Sequence, residues 1–204
     1  MHRVAFINNK FVNFNKAFVH IEDRGLQFSD SVYEVIPVFK SKIIDIDYHI
    51  NRLKFSLSEL YINYKINKNI LYKIFKKLVK KNSISNGIIY LQITRGVQER
   101  EHVYNKKIKP NLIIYSRQKK FNLPANQLKG VKAITHEDLR WKRRDIKTVN
   151  LLPNIIAANK AKKMKCVKQW KKKAEVKKRQ HKFNSRNCPI RWERYEEMYE
   201  KLHR

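Results

Sequence analysis

The feature that most restricts how this chain can fold is a change in the spacing of its apolar residues. After Asp47, a plausible N-cap, Ile50, Leu53, Leu57 and Leu60 recur every three or four positions and make one apolar helix face. A second helix is predicted from about Asn69 to Lys81, with Ile70, Leu71, Ile74, Phe75, Leu78 and Val79 as a broad buried stripe and lysines opposite. Runs of strand character stand on both sides of this pair. Residues 4–8 (VAFIN) and 11–14 (FVNF) flank a tight turn, where Asn8 and Asn9 tolerate positive φ. Residues 32–39 (VYEVIPVF) form a strand whose Pro37 calls for an edge or a bulge, and Ser41-Lys42 turns the chain into a short strand at Ile43-Ile44. Beyond the helices, residues 88–95 (IIYLQITR) and 111–116 (NLIIYS) read as buried strands. Hairpin, strands, two helices and further strands make an α+β domain spanning residues 1–118.

Residues 119–130, with Pro124 and Gly130 and little periodicity, read as an interdomain linker. A new strand is expected at Val131–Thr135, then an irregular loop from Thr148 to Pro153. Asn154 is placed to cap a helix carrying Ile155, Ile156, Ala158 and Ala161. From Cys166 onward apolar periodicity fades, although residues 192–204 (WERYEEMYEKLHR) can form a short helix.

The formal net charge is +30, unevenly spread. Residues 160–204 hold 17 Lys/Arg against 5 Asp/Glu, whereas residues 1–159 hold 30 against 12, so the tail is more than twice as basic per residue. Bulk positive charge attracts nucleic acid only nonspecifically. The tail, with Trp170 and Trp192 for stacking, keeps a basic nucleic-acid-binding protein as the alternative of another class. No run approaches the roughly 20 apolar residues of a membrane span. With no signal-peptide pattern at the start, a soluble cytoplasmic protein is expected. Cys166 and Cys188 show neither metal-ligand nor disulfide spacing, so no metal is expected.

Three segments carry the chemistry. Residues 23–35 (DRGLQFSDSVYEV) precede residues 47–53 (DYHINRL), where Arg52 follows His49 by three residues on a helix. A planar guanidinium suits a phosphate, though an amphipathic helix also exposes such an arginine for solubility alone. Residues 94–102 (TRGVQEREH) hold Arg100 and His102 two apart, so in an extended loop both donors face one way. The same pair also fits an exposed basic loop. In residues 138–163, Asp145-Ile146-Lys147 stands ahead of Asn150-Leu151-Leu152-Pro153-Asn154. A lysine beside an apolar, irregular loop is desolvated, which lowers its pKa and favours imine formation.

The order and spacing of these segments resemble the fold-type-IV (class IV) aminotransferases that depend on pyridoxal 5'-phosphate (PLP), and within them the D-amino-acid (D-alanine) transaminases. The resemblance covers about residues 3–165. It implies an α+β N-terminal domain, a sheet with two helices, followed at residues 131–165 by the start of a PLP-binding second domain. Lys147 matches the Schiff-base lysine, Arg52 the arginine on the cofactor phosphate, and Tyr33 a tyrosine facing the substrate. Arg100 and His102 match a pair that reaches across a homodimer to the substrate carboxylate, and Arg140 matches an arginine near the substrate. Transamination between D-alanine and 2-oxoglutarate is the implied reaction. Branched-chain aminotransferase and aminodeoxychorismate lyase are the alternatives within the class.

The sequence departs from that pattern in two places. Ser29 and Ser31 stand where glycines are expected. After about residue 165 the resemblance stops. Arg179 lies near the place of the acid that should pair with the pyridine nitrogen, and the nearby Glu175 matches no motif. Residues 166–204 are accordingly expected to be a non-family basic tail, produced by a frameshift near Cys166 in a truncated chain whose activity is impaired or lost.

Overall fold

A computed structural model describes residues 3–121, 132–166 and 168–172, the last five by their backbone. All belong to one compact unit, Met1–Lys172. The expected linker at 119–130 falls largely outside the described residues, as do Glu175, Arg179, Cys188, Trp192 and the expected terminal helix.

The chain opens with β1 (Val4–Ile7) and β2 (Lys10–Asn13), joined through Asn8 and Asn9 at φ 44° and 70°. A short helix α1 (Arg24–Phe28) leads into β3 (Ser31–Phe39) and the two-residue β4 (Lys42–Ile43). Helices α2 (Ile46–Glu59) and α3 (Lys68–Lys81) follow, then β5 (Gly87–Thr94) and β6 (Asn111–Gln118). Their strands form one antiparallel sheet in the order β2-β1-β6-β5-β3-β4. Beyond it, β7 (Ala133–Glu137), α4 (Leu152–Lys163) and β8 (Lys168–Lys172) make a strand–helix–strand unit with β7 and β8 parallel. A parallel pair requires such a crossover.

Period-two alternation sorts the large sheet into two faces. Val32, Ile36 and Val38 of β3, Leu91 and Ile93 of β5 and Ile114 of β6 are buried against Ile50, Leu53, Leu57, Leu71, Phe75 and Leu78 of the two helices. The opposite face carries the partly buried Tyr33, Tyr90, Gln92 and Tyr115. Pro37 sits in β3 without cost to the β5 pairing. Tyr33, two pairs of residues earlier, turns its N–H away from β5, and the Pro37 carbonyl on that same outer side accepts from Ile44 N at 3.0 Å.

Several local expectations are corrected. Helix α2 starts before Asp47: its N-cap is Asp45, in the left-handed region at φ 50°. Asp47 lies in the first turn, where its charge complements the helix dipole and pairs with Lys68 of α3. The cap of α3 is Asn67, whose side chain accepts from Ile70 N at 3.1 Å, while Ile70 itself is exposed. Asn154 does not cap α4. That helix begins at Leu152 with Pro153 in its first turn, where the missing N–H is not needed. Its buried face is Ala157 and Ala161, and Ile155 and Ile156 are exposed. Regular pairing also continues past Cys166 into β8, because a ladder to β7 needs only backbone groups.

Candidate functional site

The site is built on the free edge of β3. Beside Ser31–Glu34 that edge is taken not by β4 but by residues 146–148. Val32 pairs with Thr148 in an antiparallel bridge, and Tyr33 N donates to Lys147 O at 3.0 Å. The pairing fixes which way each side chain points. Ile146 enters the main core at 4% exposure, and Lys147, one residue on, is delivered to the other face beside Tyr33. Its Nζ stands 4.3 Å from the centroid of the Tyr33 ring, a cation–π distance. Lys147 N also donates to Ser56 Oγ of α2 at 3.2 Å. Arg143 adds a tether from the same loop by pairing with Glu59 at the end of α2.

On the helix side of β3, the inward-pointing Glu34 is 1% exposed. Its Oε1 accepts from Arg52 Nε at 2.7 Å and its Oε2 from Arg52 Nη2 at 2.6 Å, a two-pronged pair. His49 Nδ1, one turn earlier on α2, lies 2.7 Å from the same Oε2. Burial pushes the Glu34 pKa up, but the hydrogen bonds from Arg52 and His49 outweigh it and hold the carboxyl below its usual range. Glu34 in turn stabilises the Arg52 guanidinium. Arg52 Nη1 makes no hydrogen bond to a described residue, and the side chain remains 24% exposed. An outward donor edge is thus available to an anion.

These neighbours set the state of the amine. Burial, then the positive charge of Arg52, lower the Lys147 pKa, and the Glu34 charge opposes them more weakly. Burial and the Glu34 charge raise that of Tyr33, so its hydroxyl stays protonated through neutral pH. Tyr33 is also braced across three strands. Its ring stacks on Tyr90 at 5.8 Å between centroids, and Tyr90 stacks on Tyr115 at 5.0 Å. Tyr90 Oη donates to Gln92 Oε1 at 2.9 Å, and Gln92 Nε2 donates to Ser31 Oγ at 3.1 Å. The assembly is a desolvated amine, a phenol and a guanidinium edge, gathered at the edge of the large sheet.

Of the residues singled out from sequence, Tyr33, Arg52 and Lys147 come together here. Arg100 and His102 lie elsewhere on this chain: the Arg100 Cζ is 4.8 Å from the Phe28 ring centroid and the His102 ring 5.5 Å from it. Arg100 Nη1 reaches Gln27 Oε1 at 3.4 Å, and neither side chain touches Tyr33 or Lys147. Arg140 is engaged by Asp138 through two hydrogen bonds of 2.8 Å, which hold the Asp138 carboxyl far below its ordinary range; Arg144 shares that acid. Sequence reasoning missed Glu34. The signal was present, since strict alternation in β3 points a carboxylate inward among Val32, Ile36 and Val38, opposite a His-x-x-Arg helix face.

The family model for class IV amino-transferases matches residues 31–170, a span that begins at β3 and ends within β8. A D-alanine aminotransferase of Listeria innocua is 40% identical over 161 residues, which are 77% of this chain and 55% of that protein. The chain therefore spans little more than half the length of this relative. The branched-chain amino acid aminotransferase of Escherichia coli superposes with a TM-score of 0.73 at 19% identity, covering 83% of this chain and 59% of that one. A 4-amino-4-deoxychorismate lyase from Pseudomonas aeruginosa superposes with a TM-score of 0.60 at 18% identity, covering 76% and 56%. Both superpositions speak to the fold alone.

Proposed function

Since the chain belongs to the class IV aminotransferase family, we propose that Lys147 is its reactive amine and that its site serves PLP-dependent transamination of D-amino acids of the D-alanine and 2-oxoglutarate type. One observation carries this reading: the pairing of residues 146–148 with the edge of β3 sets the Lys147 amine over Tyr33, within the field of Arg52.

Among the described residues, Lys147, Arg52 and Tyr33 fit the cofactor's aldehyde, phosphate and substrate side. Bound PLP supplies an aldehyde for a lysine and a ring that draws electrons from the substrate Cα. Lys147, its pKa lowered by burial and by Arg52, gives up its proton to become a nucleophile for such an aldehyde more readily than a solvated lysine, and afterwards can carry the Cα proton. Arg52 offers its outward donor edge to the phosphate, and Glu34 and His49 hold that guanidinium at a fixed angle. Tyr33, kept protonated, faces the substrate with a hydroxyl. Arg100 and His102 gather on Phe28, away from Lys147, a placement that suits service to a second copy of the chain. A homodimer in which each chain lends this pair to its partner's substrate carboxylate is accordingly part of the reading. Arg140 is assigned a supporting place near the substrate, under the control of Asp138.

The choice of D-amino acids over branched-chain L-amino acids, or over aminodeoxychorismate, rests on the Arg100-x-His102 spacing together with the identity to D-alanine aminotransferase. The test is chemical capture. PLP added to the purified chain and reduced with borohydride is expected to label the peptide bearing Lys147 with near one-to-one stoichiometry, and Lys147→Ala to remove that label. Label scattered over the many other lysines, and unchanged in Lys147→Ala, would refute the proposal. Faster turnover of L-leucine or aminodeoxychorismate than of D-alanine would keep the amine and change the substrate.

A further inference from the structure

Arg24 and Arg95 both donate to one oxygen of Asp30: Arg24 Nε at 2.9 Å and Arg95 Nε at 2.6 Å from Oδ2. The two arginine side chains are 5% and 6% exposed and that of Asp30 13%. Two guanidiniums against one carboxylate leave a positive charge in excess, and a charge so far from water must be met by other acceptors. Main-chain carbonyls meet it. Arg95 donates to the Leu60 and Tyr61 carbonyls, at 2.6 and 3.1 Å, where α2 ends. Arg24 donates through Nη1 to the Glu101 carbonyl and through Nη2 to the His102 carbonyl at 3.1 Å. Those last two acceptors lie in the loop between β5 and β6, the loop that carries Arg100 and His102.

The neck of that loop is closed independently. Gln98 Nε2 donates to Val103 O at 3.0 Å and its Oε1 accepts from Asn105 N at 2.7 Å. Gly96, at φ 120°, lets the loop leave β5; a Cβ there would lie 2.1 Å from the Lys109 carbonyl oxygen. The Phe28 ring, already in contact with Arg100 and His102, also receives Arg24, whose Cζ is 4.7 Å from its centroid.

We propose that Arg24, braced by Asp30, is a positioning residue that grips the main-chain carbonyls on either side of His102, those of Glu101 and His102, and so presents Arg100 and His102 as a pair. The proposal rests on the reading of that pair as a carboxylate clamp. The grip needs an arginine. One planar head reaches a carboxylate through Nε and two carbonyls through its separate Nη atoms, whereas a lysine head is a single point. Arg24→Lys keeps the charge and loses the fork.

The measurement is amide hydrogen exchange on the full chain, in wild type, Arg24→Met and Arg24→Lys. Exchange at residues 100–104 is expected to speed up about tenfold or more in both variants, with β5 and β6 unchanged. In steady state, Arg24→Lys is expected to raise the D-alanine KM by about tenfold and to move kcat by less than about twofold. Loop exchange at the wild-type rate in Arg24→Lys overturns the proposal, and so does acceleration spread evenly over β5 and β6. A fall in kcat at unchanged KM overturns it too. If Arg24→Met does not fold, the lysine variant decides. A separate Arg100→Lys variant tests the clamp: a D-alanine KM that ignores it removes the clamp, while localised exchange in the Arg24 variants leaves the grip standing.

Discussion

Residues 3–121 and residues 132–172 sit in one compact unit but are stabilised by different means. The first region makes its own core: a six-stranded sheet covered on one face by α2 and α3, with Val32, Ile89, Ile93 and Phe75 withdrawn completely from water. The second region contributes little of its own. Among the described residues beyond 121, Ile146 enters the main cluster, and Ala157 and Ala161 are the other buried apolar groups. Leu152, Ile155, Ile156 and Met164 of that region are exposed. Yet the reactive lysine of the proposed site belongs to the poorer region. The comparison teaches that a chemically demanding side chain need not come from a well-packed element, provided its backbone is paired to the edge of one. The ladder from Thr148 to Val32 and from Lys147 to Tyr33 supplies that pairing.

The sharpest way to break this contrast is a pair of truncations. Leu91→Ala, at a position with 0% exposure in β5, is expected to cost about 3–4 kcal/mol in urea unfolding, from lost transfer energy and the cavity left behind. Ile156→Ala on α4, 54% exposed, is expected to stay within about 0.5 kcal/mol of wild type. Equal costs would mean that the exposed face of α4 is covered in solution and that the second region is better packed than this asymmetry implies.

Next in size is Glu34→Gln. Removing one partner of a buried ion pair costs about 3 kcal/mol, because Arg52 and His49 keep their donors while the charge that paired them is lost. The pH dependence has a definite sign. The folded carboxyl titrates below its ordinary value, so its contribution is complete above about pH 4.5 and disappears as pH falls through the folded pKa. The gap between wild type and Glu34→Gln should therefore close in acid. A gap independent of pH would mean that packing, not charge, is what Glu34 provides.

Much of the first region was legible because burial follows period. Alternation marked β3, β5 and β6, and three-to-four spacing marked α2 and α3. What the sequence obscured has identifiable physical causes. Asp45 and Asp47 are both competent at a helix N-terminus, and only the left-handed φ of Asp45 decides between them. Ile70 looks like core on α3, but it lies in the first turn and is exposed. Asn154 looks like a cap until Pro153, better suited to a first turn, moves the start of α4 upstream. β8 has no apolar pattern to detect, since its pairing with β7 is carried by backbone. At the site, Lys147, Tyr33 and Arg52 were singled out through their motifs, and the structure brings them near one another. Glu34 was missed although alternation turned it inward, because an inward carboxylate is legible only once its partners on α2 are considered with it; the Arg24–Asp30–Arg95 group was missed because its members pair with one another and with main-chain carbonyls far away in sequence.

The smallest expected effect tests the comparison most directly, at the junction of the two regions. If the ladder to β3 holds Lys147 away from water, an uncharged replacement should relieve the chain of a desolvated ammonium. Lys147→Met is expected to be slightly more stable than wild type at neutral pH, by less than Glu34→Gln loses. The folded pKa of the lysine lies below its ordinary value of 10.5, so between the two values the unfolded chain binds more protons than the folded one. Over that window wild-type stability rises with pH relative to the variant, and the advantage of methionine shrinks toward zero near pH 10.5. Tyr33 and Tyr90, whose pKa values are raised by burial, titrate in both proteins, so the difference between the two unfolding curves isolates the lysine. The contact with the Tyr33 ring is made only by the charged amine, so it opposes the depression of the lysine pKa and reduces both the gain and the pH window over which it is lost. A difference that is flat from pH 7 to 10 would place the amine in bulk water, and the edge pairing would then position the backbone of residue 147 without controlling its side chain.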